Sequence, residues 1–185
     1  MRRETSRQLF HLVVGLLTIA VLYSFGRTFM VTAAFFTLLA GTLLINSWFV
    51  GRKYRIVGWF IKRFERRDVL FPGWGSACYT AGILIPLAFL SDINQIAAVI
   101  FIIAVGDSFS TMVGRFGKHS LPYNKKKSLE GTAAFFFSSL PSWFFIGVSS
   151  VPLAIIGAVV ESLGLEIDDN LTIPFVLTTL LLVIS

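Results

Sequence analysis

Four groups of residues carry chemistry that their apolar surroundings do not explain. The first centres on Asp107, in the run Gly106-Asp107-Ser108-Phe109-Ser110-Thr111 that ends an otherwise apolar stretch. A carboxylate at that depth needs a cation or a metal beside it, because an uncompensated charge in an apolar medium is costly. The second is the segment that follows, GRFGKHSLPYNKKKSLEG over 114–131. Its glycines, Gly114, Gly117 and Gly131, permit backbone angles closed to other residues. Arg115, Lys118, Lys125, Lys126 and Lys127 supply cations, and Ser128-Leu129-Glu130-Gly131 opens a new helix. Free amides at a helix N-terminus beside lysines suit a phosphate group, although the spacing is not that of a Walker A loop. Together with Asp107 the chemistry sharpens: a carboxylate can hold Mg²⁺ while lysines and amides hold the phosphates that the ion bridges. The third group is Glu161 with Glu166, Asp168, Asp169 and Asn170, an acidic stretch without a basic residue. Glu161 interrupts an apolar run, which metal coordination or pairing with the lysines would explain. The fourth is Glu4, Arg7 and His11. At 100° per residue Glu4 and His11 lie about 20° apart around a helix, and Gly15 continues that face.

The elements that position these groups follow from composition. Of 185 residues, 55% are apolar and only 14% charged, Phe alone contributes 19, and mean hydropathy is +0.78. A soluble domain carries about a quarter charged residues, so this chain could not cover its own surface in water. An ordinary cytosolic globule, a disordered tail and a disulfide-stapled module are excluded; the single cysteine, Cys78, serves packing. A spanning helix needs roughly 20 apolar residues, and the candidates are 8–25, 28–50, 74–90, 93–113, 131–149, 150–163 and 171–185. With the N-terminus in the cytoplasm, 15 of the 16 Lys and Arg residues fall on the inside, leaving Arg27 outside. That charge bias supports an all-α, polytopic transmembrane helix bundle of about seven spans. The chain reads as a single integral membrane domain over 1–185, with no cleaved leader. Within it, 51–70 reads as a cytoplasmic amphipathic basic segment attracted to anionic headgroups. The segment 114–130 is a cytoplasmic loop. Nucleic-acid binding is not expected, because the basic residues spread along a membrane face.

The runs Gly106-Asp107-Ser108-Phe109-Ser110, Gly114-Arg115-Phe116-Gly117-Lys118 and Lys127-Ser128-Leu129-Glu130-Gly131 closely resemble the CTP-dependent lipid kinase family. That family includes dolichol, phytol and CTP-dependent diacylglycerol kinases and is distantly similar to phosphatidate cytidylyltransferases. Glu4-x-x-Arg7-x-x-x-His11 and Glu161 with Asp169-Asn170-Leu171-x-Ile173-Pro174 also look like blocks of the family, so the resemblance spans nearly the whole chain. It implies phosphoryl transfer from CTP, with Mg²⁺, to the hydroxyl of a membrane lipid alcohol such as an isoprenoid alcohol or a diglyceride. On that reading Asp107 is a metal ligand, with Glu161 or Asp169 as the second carboxylate. Arg115, Gly117, Lys118, Lys127, Ser128 and Gly131 bind the nucleotide, and Glu130 binds metal or orients Lys127. His11, Glu4 or Asp169 accepts the alcohol proton, while Arg7, His11 and Asn170 position the hydroxyl. A cytidylyltransferase that makes a CDP-lipid is the first alternative, a small ion-coupled transporter the second, and a non-catalytic membrane scaffold the third. The expected location is the plasma membrane of a prokaryote or archaeon, or the endoplasmic reticulum of a eukaryote, with a cytoplasmic active site. The oligomeric state stays open, a homodimer among the options.

Overall fold

The computed structural model describes residues 2–52, 54–64 and 71–184, without the side chains of Arg2, Arg3, Ile56 and Lys62. Among these residues there is no strand beyond an isolated bridge between Ser120 and Ser128, so the all-α expectation holds. Three helical stretches are long and apolar enough to cross a membrane, Glu4–Phe49, Ile93–Gly114 and Leu129–Leu163, and two shorter ones are Trp74–Phe89 and Asp169–Ile184. Large apolar side chains stand exposed on their outer faces, among them Phe25, Phe36, Phe144 and Phe175. A protein in water rarely tolerates that, whereas a lipid surface accepts it.

The long helix α1 (Arg2–Phe49) is two arms joined at Gly26, whose φ of 79° and ψ of 174° only glycine adopts without strain. The arms run in opposite directions along α3 (Trp74–Phe89). Tyr79 meets His11 on the first arm, and Arg27, just past the turn, donates to the Leu87 and Ala88 carbonyls at the far end of α3. Ile45 then packs beside Gly73, back at the near end. The two spans expected at 8–25 and 28–50 are thus the two arms of a hairpin, and Gly26 falls in the gap between them. Helix α2 (Arg55–Phe64) lies at the near end, its Phe60 and Phe64 rings against Phe10. Lys53 and residues 65–70 of the basic segment expected over 51–70 lie outside the described residues.

The centre of the bundle is α4 (Ile93–Phe101), with Ile96 to Ile100 all buried, as expected of a helix that is apolar all round. Asp92 caps it, accepting from the Asn94 amide at 2.8 Å. It continues through a π-helical turn, Ile102–Asp107, into α5 (Ser108–Gly114). Single π turns recur at functional sites, and this one ends on Asp107. Gly15 makes the crossing with α1 possible, since a Cβ there would stand 2.2 Å from that of Ala104.

The stretch expected as one span over 131–149 is not a single regular helix. Helix α6 (Leu129–Ser139) gives way to tight turns around Pro141, the four-residue α7 (Trp143–Ile146) and Gly147, at φ 59°. Proline removes an amide and left-handed glycine reverses the chain. Helix α8 (Ser150–Leu163) then returns along α6, with Phe135 filling the notch at Gly157. Helix α9 (Asp169–Ile184) packs on α3 so closely that a Cβ on Gly82 would lie 1.9 Å from the Asn170 carbonyl oxygen.

Candidate active site

Two helix pairings set the site. The α6–α8 hairpin brings the start of α6 beside the end of α8, and the α3–α9 contact brings Asp169 to the same end. The loop between α5 and α6 is then fastened to α8. Asn124 donates to the Ser162 and Leu163 carbonyls at 3.1 and 3.0 Å, satisfying two acceptors that the end of α8 leaves open. The Tyr123 hydroxyl meets that of Ser162 at 2.9 Å. Within the loop, Leu121 donates to the Lys127 carbonyl and Leu129 to that of His119. This backbone pairing aims the Lys127 side chain at the end of α8.

There Asp107, Glu161 and Asp169 come together, each offering a carboxylate oxygen within 4.8 Å of the others. They arrive from the π turn before α5, from α8 and from α9, separated by more than fifty residues of sequence between the first two. Lys127 Nζ pairs with Glu161 Oε1 at 2.5 Å and Asp169 Oδ2 at 3.1 Å. Ser110 donates to the same Glu161 oxygen at 2.7 Å. Burial alone would lower the Lys127 ammonium pKa, but the Asp169 and Glu161 carboxylates outweigh it and hold it above the ordinary lysine value.

The donor set fits a divalent cation. Glu161 is 2% exposed, and its Oε2 has no hydrogen-bond partner among the described residues. A buried carboxylate oxygen without a donor is costly. Three carboxylates against one ammonium leave room for two positive charges. The three carboxylate oxygens, within 4.8 Å of one another, are the hard oxygen donors that such a cation would take.

The N-terminal residues flank this cluster. The Ser108 hydroxyl donates to the Gln8 carbonyl at 3.1 Å, tying α5 to α1. Arg7, 4% exposed, pairs with Glu4, which also accepts from Gln8. His11 is buried, its ring edge-on to Tyr79 with centroids 4.4 Å apart and its carbonyl accepting from the Tyr79 hydroxyl. Asn170 is buried and uses its amides on Asp168, at 2.8 Å from the side chain.

The other expected residues lie in or beside the loop between α5 and α6. Glu130 stands apart from the carboxylate cluster: it accepts from the Lys118 amide at 2.9 Å and pairs with His119 Nδ1 at 2.8 Å, bracing the loop. Helix α5 stops at Gly114, so Lys118 does not continue the face of Asp107; its side chain is exposed on the loop. Arg115 is exposed as well and donates to Thr5 at 3.1 Å. Ser128 caps α6, taking the Gly131 amide at 3.2 Å, so that amide is already engaged. Gly117 and Gly131 serve close approach: a Cβ on Gly117 would lie 2.3 Å from Ser128 Oγ, and one on Gly131 would lie 3.0 Å from Gly114 Cα. Sequence reasoning missed Asn124, Tyr123 and Gln8. The glycine-poor NKKK turn was a faint signal for Asn124; nothing local marked the other two.

The chain is 32% identical over 179 residues to an uncharacterized protein of Methanocaldococcus jannaschii, covering 94% of this chain and 90% of that one. It is 38% identical over 95 residues to the chloroplastic farnesol kinase of Arabidopsis thaliana, across 41% of this chain and 31% of the plant protein. A probable chloroplastic phytol kinase of Glycine max is 35% identical over 96 residues, across 42% and 30%. The chain therefore matches under a third of the length of these plant relatives. No family model matches the chain, and neither does any solved structure.

Proposed function

The chain belongs to one family with the Methanocaldococcus jannaschii protein, and on that premise we propose that it is a membrane-embedded, CTP-dependent kinase of a lipid alcohol, isoprenoid in type. The observation that carries this reading is the Asp107, Glu161 and Asp169 cluster, with Lys127 and an unpaired buried Glu161 oxygen, at the end of an apolar helix bundle. Local similarity to farnesol and phytol kinases supports the substrate class.

In this reading Asp107, Glu161 and Asp169 would hold Mg²⁺, which would supply positive charge to the transferring phosphate. Lys127 stays cationic and attracts the triphosphate, with Arg115, Lys118 and the neighbouring backbone completing the nucleotide site. The alcohol oxygen bonds to the γ-phosphorus, the bond from that phosphorus to the β–γ bridging oxygen breaks, and CDP leaves. His11, Glu4 or Asp169 takes the alcohol proton; Glu4 is held by Arg7 and Gln8, and Asp169 by Lys127. Arg7, His11 and Asn170 position the hydroxyl. The groups 4–11, 107–131 and 161–170 lie together, tied by Ser108 to Gln8 and by Lys127 to Glu161; in this reading their basic residues make that the cytoplasmic end.

The test is CTP labelled on its γ-phosphate, incubated with purified protein, Mg²⁺ and a fifteen- or twenty-carbon prenol. Label in the lipid is the expected result. Label only in pyrophosphate, with a CDP-lipid product, would turn the assignment to a cytidylyltransferase. No transfer with any nucleotide would sink the kinase reading.

A further inference from the structure

A cavity of 580 Å³ lies between the second arm of α1, α2 and the N-terminal half of α3. Leu38, Ile45, Trp48, Val57, Ile61 and Phe71 form much of its wall. The threonines that line it offer their hydroxyls to their own helices instead. Thr37 donates to the Ala33 carbonyl, Thr42 to Leu38 and Thr80 to Ser76, at 2.8, 2.8 and 2.9 Å. The interior is therefore suited to a hydrocarbon and offers little to a polar guest.

The chamber is joined to the carboxylate site by a short chain of contacts. On one side Phe60 meets the Phe10 ring, centroids 5.4 Å apart, directly before His11. On the other, Thr80 follows Tyr79, and Tyr79 abuts Gly15 where it crosses Ala104, three residues before Asp107. These contacts link the chamber wall to Asp107 through the His11–Tyr79 pair.

We propose that this chamber holds the hydrocarbon chain of the acceptor alcohol and limits its length, an inference that rests on the lipid-kinase reading above. A methylene takes about the ~30 Å³ of a liquid water molecule, so 580 Å³ accommodates roughly twenty carbons. A chain of that length lies inside with its hydroxyl at the His11–Tyr79 end. A much longer polyprenol leaves most of itself in the bilayer. Because lipid tails already surround such a chain, entry gains nothing from the hydrophobic effect, and discrimination comes from fit.

Gly41 provides the test. It lines the chamber, and nothing stands within 4 Å of where its Cβ would be. Gly41→Phe therefore projects a ring into open space, and replacing a helix glycine does not cost the fold its helix propensity. With ten-, fifteen-, twenty- and fifty-five-carbon prenols at equal mole fraction in micelles, wild type should prefer fifteen and twenty carbons. In Gly41→Phe the KM for the twenty-carbon alcohol should rise at least tenfold, with kcat on the ten-carbon alcohol unchanged. Gly41→Ala should keep the wild-type profile. An unchanged profile in Gly41→Phe overturns the proposal, as does a wild type that favours the fifty-five-carbon chain. A twenty-carbon alcohol with a tail diazirine should label peptides over 37–49, 57–61 or 71–80, and this reads the chamber even where no phosphate is transferred. Label confined to other helices, or a phospholipid that co-purifies in the chamber and resists displacement by the alcohol, overturns it too. If wild type phosphorylates no alcohol yet labels at 37–49, the kinase reading fails while the chamber stands.

Discussion

Replacing Lys127 by methionine keeps most of the side chain's length and removes its charge. The ammonium lies 3.1 Å from Asp169 Oδ2 and closer still to Glu161 Oε1. At an effective dielectric of about 20, the longer contact alone is worth about 5 kcal/mol of Coulomb attraction before desolvation is charged against it. Removing one partner of a buried pair costs about 3–5 kcal/mol. The Lys127 side chain is 24% exposed, which favours the lower end, about 3 kcal/mol. For a chain of this size that corresponds to a fall in Tm of roughly 6–12 °C, read by a thermal melt of purified protein in EDTA. Mg²⁺ at a hundred times its Kd should return about 2.7 kcal/mol, because the ion replaces the missing charge among the carboxylates. Phosphotransfer should nonetheless remain down by about 10²-fold, since the triphosphate has lost its cation. Two results would refute the reasoning. One is a variant that melts with wild type in EDTA; the other is a variant whose melting temperature Mg²⁺ does not raise.

The raised Lys127 pKa gives a pH dependence with a definite sign. Its stabilising charge is fully present below the unfolded value of about 10.4 and is lost only as pH rises through the higher folded value. The melting difference between wild type and Lys127→Met should therefore stay constant from pH 6 to 9 and shrink only in strong alkali. Ser128→Ala removes the cap of α6 and its bond to the Gly114 carbonyl; a loss of about 1 kcal/mol is expected by thermal melt. Gly15→Val forces a side chain into Ala104 and should cost about 1–3 kcal/mol or block folding, scored by yield and monodispersity in detergent. Asp107→Asn should abolish Mg²⁺-dependent stabilisation while the helix content by circular dichroism is kept.

Much of the helix layout was legible locally. Apolar run lengths marked the helices, and the gap between 8–25 and 28–50 matches the break at Gly26 inside what is otherwise 48 residues of continuous helix. The run over 131–149 misled, because its hydropathy stays high across Pro141 and Gly147, and hydropathy does not register a missing amide or a left-handed turn. The site was half legible. Asp107, Glu161, Asp169 and Lys127 stood out as charges that an apolar chain must compensate, so their types and positions carried the signal. Glu130 carried the same signal and yet braces the loop through His119 and the Lys118 amide.

Sequence alone determined that the chain is apolar, where its few charges sit and which of them demand partners. Only the tertiary structure decided which partners they take. Lys127 reaches Glu161 because Asn124 ties the loop to the end of α8, and Asp169 joins them because Gly82 lets α9 press against α3. Periodicity reports the face of one helix at a time. The meeting of three carboxylates from three helices depends on how closely their backbones approach, and that is a property of packing between distant segments.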